Sequence, residues 1–130
     1  MLEGRKNVYE LRVRDEVVTV DFGRELVVSF DLTALELSGS VLLGHVFLKV
    51  VDASGVDVTP AIFSSLIATE VEVWPGDPVS LQGYLGDGSA RFALRRGQYK
   101  VSGSLSVMGT AAPPGSGTTV ISEPVVLIVQ

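Results

Sequence analysis

The chain has no cysteine, one histidine and one tryptophan in 130 residues. Without thiols there is no disulfide to staple the fold, no thiolate zinc site and no cysteine nucleophile. Absent cysteine also gives no sign of an oxidising compartment. Charge is scarce: Asp, Glu, Lys and Arg make up 19% of the residues, against the ~25% usual for a globular domain. What charge there is sums to -5, and the basic pairs Arg5-Lys6 and Arg95-Arg96 are too small to form a patch. Nucleic acid, whose phosphates repel such a chain, is not an expected partner. No uninterrupted apolar run approaches the ~18 residues of a spanning helix. The polar opening MLEGRKNVYE carries no apolar signal core. No membrane partner is expected, and assembly is expected in a cytoplasm.

What is present is apolar alternation. From Tyr99 the residues Tyr99, Val101, Gly103, Leu105 and Val107 fall on one face, and Lys100, Ser102, Ser104 and Ser106 on the other. A period of two describes a strand with one buried face. Similar alternation predicts strands over 8–14, 18–22, 26–33, 42–50, 69–73, 79–85 and 90–94, and a last strand over 119–130 interrupted by Pro124. A proline there fits an edge, a bulge or a strand switching sheets. Residues 52–55 and 86–89 read as turns, and Trp74-Pro75-Gly76-Asp77-Pro78 as a loop. The stretch 60–68 reads either as a helical turn begun by Pro60 or as an apolar edge segment.

Eight or nine short strands with turn signals roughly every ten residues and no long helix make an all-β protein, a sandwich or a barrel. Residues 1–7 read as an N-terminal arm and 8–130 as a single domain.

The segment Leu94-Arg95-Arg96-Gly97-Gln98-Tyr99-Lys100-Val101 resembles the tyrosine corner of immunoglobulin-like and fibronectin type III-like sandwiches. There a leucine ends one strand, a glycine turns the chain, and a tyrosine starts the next strand. The resemblance implies a two-sheet immunoglobulin-like β-sandwich with Leu94, Gly97 and Tyr99 as its structural corner. It implies that the Tyr99 ring is buried and its hydroxyl bonds back to the corner backbone, with Arg95-Arg96 solvating the turn. The closing segment 122–129 looks like the final strand of such domains. Two departures stand: there is no cysteine pair, and Trp74 lies late, before a Pro-Gly loop.

Chemistry is thin. His45 sits in mid-strand with no serine or carboxylate at a suggestive spacing, which reads as a half-buried structural residue. Gly115-Ser116-Gly117 lacks the strand and helix of a nucleophile elbow. Asp52, Asp57, Asp77 and Asp87 have no EF-hand spacing and read as turn carboxylates bonding their own backbone. No catalytic residue, metal or cofactor is expected.

Low charge with positive mean hydropathy implies displayed apolar surface. The candidate contact residues are Val8, Tyr9 and Leu11 at the start, Ile62, Phe63, Leu66 and Ile67 in the apolar stretch, Trp74, and Pro113 and Pro114 in the small-residue loop 109–118. Compact, cysteine-free sandwiches with a short arm look like structural components of virus particles. The expected function is therefore non-catalytic assembly on protein subunits, its own or those of a capsid or tail. The setting would be a virion, as in the decoration and tail proteins of bacteriophages. The alternative is an accessory module that recognises carbohydrate or peptide, with Trp74 as its platform.

Overall fold

A computed structural model describes residues 9–24, 26–35, 39–59, 69–85, 94–109 and 118–130. The expectations for the arm over 1–7, for Val8, for 60–68, for 86–93 and for the loop around Pro113 and Pro114 lie outside the described residues.

The fold is all-β: β1 (Tyr9–Val13), β2 (Val17–Val20), β3 (Leu26–Ala34), β4 (Gly39–Leu43), β5 (Phe47–Asp52), β6 (Thr69–Val73), β7 (Val79–Leu85), β8 (Gly97–Gly109), β9 (Thr118–Ile121) and β10 (Val125–Val129). They form a three-stranded sheet, β1-β3-β7, and a seven-stranded sheet, β2-β10-β8-β4-β6, with β5 and β9 also on β8. The first strand divides between the sheets: β1 runs antiparallel to β3, and β2 runs parallel to β10. This is the two-sheet sandwich expected from the sequence, with the strand neighbours of an immunoglobulin-like domain.

β8 organises the larger sheet. Both of its flanks are single strands broken once, and each break is a bulge. From Ile121 to Val125 is four residues, while their partners Ser104 and Val101 are three apart. From Leu43 to Phe47 is again four, against three from Val107 to Ser104. One extra residue on each flank bends the strand and reverses its side-chain parity.

The second bulge corrects the sequence reading, which ran one strand through 42–50. Val41 and Leu43 point inward before the break, and Val46, Leu48 and Val50 after it. Leu42 therefore lies on the opposite face from Leu48, and Leu43 from Phe47. Together with the β9–β10 break, this is why ten strands are seen among the described residues. The Pro124 interruption is the bulge that was one of the sequence options.

The core lies between the sheets. Phe30, Leu26, Leu32, Leu105, Leu127, Val28, Val50, Val73 and Val101 are its largest fully buried side chains among the described residues. On the outer face of the smaller sheet, the Arg14 guanidinium donates to Asp31 at 2.8 Å and to Ser80 at 2.6 Å, tying the end of β1 to β3 and β7.

The tyrosine corner is present. The Tyr99 hydroxyl donates to the Arg95 carbonyl at 2.7 Å. Two expectations about it are corrected. Tyr99 is half-buried rather than buried, since its hydroxyl must reach a carbonyl in an exposed corner. Arg96 does more than solvate the turn: its guanidinium lies 4.7 Å above the Phe22 ring, a cation–π contact that ties the corner to the end of β2.

Candidate interaction site

The edge strands of the two sheets, β1 and β9, border a cleft of about 760 Å³, lined by 9–13, 118–121, Glu123 and Val125. Its walls follow from strand pairing. In antiparallel pairs, backbone groups alternate between facing the partner and facing away. The Arg14 N–H donates to the Ser29 carbonyl, so Tyr9, Leu11 and Val13 turn their backbone groups away from β3. The Ser122 N–H donates to the Gly103 carbonyl, so Thr119 and Ile121 turn theirs away from β8. Neither strand has a second partner strand among the described residues. The cleft thus has a free strand edge on each side.

The side chains of this cleft are mixed. Tyr9 and Leu11 are buried in the core, and burial pushes the Tyr9 phenol above its ordinary pKa. Both were expected to reach a partner; their cross-strand partners Ala34 and Leu32 draw them inward instead, leaving backbone to face the cleft. Ile121 is 70% exposed, an apolar side chain that sequence reasoning missed. Nothing in Val120-Ile121 tells which of the two faces the core; the pairing of Ile121 with outward-facing Ser104 decides it. Glu10 and Arg12 pair with each other at the rim.

Trp74 stands apart from the cleft. It is 55% exposed and opens a turn in which the Asp77 N–H donates to the Trp74 carbonyl. Pro75 follows it, and Gly76 takes φ +77°, the pattern of a type II turn. The Gly76 N–H donates to the Ala34 carbonyl, fixing this turn to the end of β3.

The remaining polar candidates lie at the end of β5, in the turns after it and in the β4–β5 bulge. Asp52 accepts from the Ser54 hydroxyl and N–H and from the Val56 N–H, at 2.7–3.0 Å, which holds its carboxyl below the usual pKa. Asp57 is lowered in the same way by the Thr59 hydroxyl and N–H. The Thr59 hydroxyl also accepts from the Val50 N–H at 2.8 Å, covering part of the outer edge of β5. His45 lies half-buried in the bulge between β4 and β5, and its Nε2 is enclosed without a hydrogen-bond partner among the described residues. No three His, Asp or Glu side chains gather into a metal-binding group among the described residues.

No family model matches this chain, and no curated protein matches it. Solved structures do. One is the crystal structure of the complex between zinc 2-glycoprotein and prolactin inducible protein from human seminal plasma. The match has a TM-score of 0.51 at 11% identity and covers 98% of each chain. At that identity the likeness bears on fold alone, and it agrees with the immunoglobulin-like sandwich built above.

Proposed function

We propose that this protein is a non-catalytic docking domain of a protein assembly, and that an extended segment of a partner subunit adds as a strand along the β1–β9 cleft. The observation that carries this is the outward-facing backbone of Thr119 and Ile121, which offers hydrogen-bonding groups beside an exposed apolar side chain. Strand addition takes its affinity from such backbone groups and its specificity from alternate side chains. Natural sandwiches blunt open edges with charge, proline or cover; β9, of sequence TTVI, carries no charge and no proline. Within this reading the setting is a virus particle, with the chain as a decoration or tail component bound to capsid or tail subunits.

The test uses peptides selected for binding from a random display library. Bound peptides are expected to be extended, with alternate apolar residues, and to shift the amide resonances of Thr119 and Ile121. Thr119→Pro removes an N–H that faces away from β8, so it should keep the fold and abolish binding. Selected peptides that shift only Trp74 and its turn would overturn this reading in favour of the accessory binding module.

A further inference from the structure

The outer face of the seven-stranded sheet has a pattern that shares only Ile121 with the cleft. Strand register places Phe47, Ser104 and Ile121 side by side across β5, β8 and β9. Phe47 is 50% exposed and Ile121 is 70% exposed, and the small Ser104 between them leaves the row open to an approaching surface. Exposed apolar side chains set in a row across a sheet mark a contact surface more strongly than scattered ones.

The charges on this face are ordered about that row. Lys100 lies four residues from Ser104 along β8, toward one end of the sheet. Met108 lies four residues toward the other end, opposite Leu42, and Leu42 is opposite Glu70. At a rise of about 3.3 Å per residue, Lys100 and Glu70 stand roughly 13 Å on either side of the row. Lys49 is on the Lys100 side, opposite Ser102, and Glu72 is on the Glu70 side, opposite Ser40. All four of these charged residues are exposed. The apolar residues follow the same order: Val51 and Val126 are level with Lys100, and Leu42 and Met108 are level with Glu70.

Such an arrangement complements itself. We propose that this face pairs with the same face of a second copy of the chain, about a two-fold axis lying along the Phe47–Ser104–Ile121 row. The rotation brings the lysine-bearing half of each copy over the glutamate-bearing half of the other: Val51 lands over Leu42, Lys100 over Met108, and Lys49 nearest Glu70. The two aromatic and aliphatic rows meet at the axis. A two-fold interface requires one patch that is its own complement, and the opposed charges fix its register. β6 lies two strand spacings from β8, about 10 Å, an offset that the long lysine and glutamate side chains span across the interface.

The test is sedimentation of the full chain at low ionic strength, with circular dichroism to verify folding. The wild type is expected to be a dimer. Phe47→Asp is expected to be monomeric while still folded. The double variants Lys49→Glu/Lys100→Glu and Glu70→Lys/Glu72→Lys should each dimerise about tenfold or more weakly, by like-charge contact across the axis. Mixed together, they should form a heterodimer of regained affinity, an outcome that general loss of stability cannot produce. A wild type that stays monomeric at high concentration overturns the proposal, and so does a mixture without recovery. Thr119→Pro should leave the dimer intact, which separates failure here from failure of the strand-addition reading.

Discussion

The Ser122 hydroxyl accepts a hydrogen bond from the Gly103 N–H at 2.8 Å, where the β9–β10 bulge has carried the backbone carbonyl away. The Ser122 N–H donates to the Gly103 carbonyl in return. Ser122 is 3% exposed and is the polar side chain buried in the described core. Its hydroxyl stands in for a missing ladder group. Ser122→Ala should leave a buried N–H unpaired and destabilise the fold by about 1–3 kcal/mol. Denaturant unfolding measures this. A loss within experimental error would mean that another acceptor serves Gly103.

The corner hydrogen bond is worth less, since it lies at the surface. Tyr99→Phe should cost about 1 kcal/mol, as for one lost hydrogen bond, with the denaturant midpoint lowered and the slope unchanged. Neither peptide binding at the cleft nor dimerisation should respond. A change in either would place the corner within a contact surface.

Acid should loosen the loop after β5. The Asp52 and Asp57 carboxyls are both held below the ordinary carboxylate pKa by hydrogen bonds to their ionised forms. Each therefore favours the folded state above the ordinary value, and that contribution disappears as pH falls through the lowered folded value. Stability should decline below about pH 4, and Asp52→Asn should make the decline shallower. Chemical denaturation between pH 2 and 6 tests this; identical slopes for the two proteins would remove Asp52 from the account.

The two-sheet architecture was legible because period-two alternation survives in β3, β7 and β8, and because Leu94, Gly97 and Tyr99 mark a corner. The bulge at 44–46 was not legible. Gly44, Val46, Leu48 and Val50 alternate cleanly, and only pairing with β8 shows that one residue is extra. Which apolar side chains are exposed was not legible for a related reason. Tyr9 and Leu11 are apolar and near the chain start, yet their strand register sends them inward. Phe47 and Ile121 face outward because each pairs with Ser104 on the outer face of β8, and Lys100 and Glu70 are set on either side of that row by pairings between residues far apart in sequence.

The last prediction concerns why β8 carries glycine at its centre. A Cβ at Gly103 would come within 2.5 Å of Phe30 Cζ and 2.9 Å of Val46 Cγ1. A Cβ at Gly83, on the sheet of Phe30 itself, would come within 2.8 Å of Leu48 and 3.3 Å of the Phe30 ring. The ring is fully buried and is crowded by both strands, so it has nowhere to retreat. Gly103→Ala should overpack the core and cost about 1–3 kcal/mol. Phe30→Leu alone should also destabilise, by leaving unfilled space. Combined, the two changes should cost less than their sum, because the smaller side chain gives the new methyl room; residues in contact are where additivity fails. A double-mutant cycle by denaturant unfolding measures the coupling. Strict additivity would mean that the strands move apart instead, and that the ring is not what keeps position 103 a glycine.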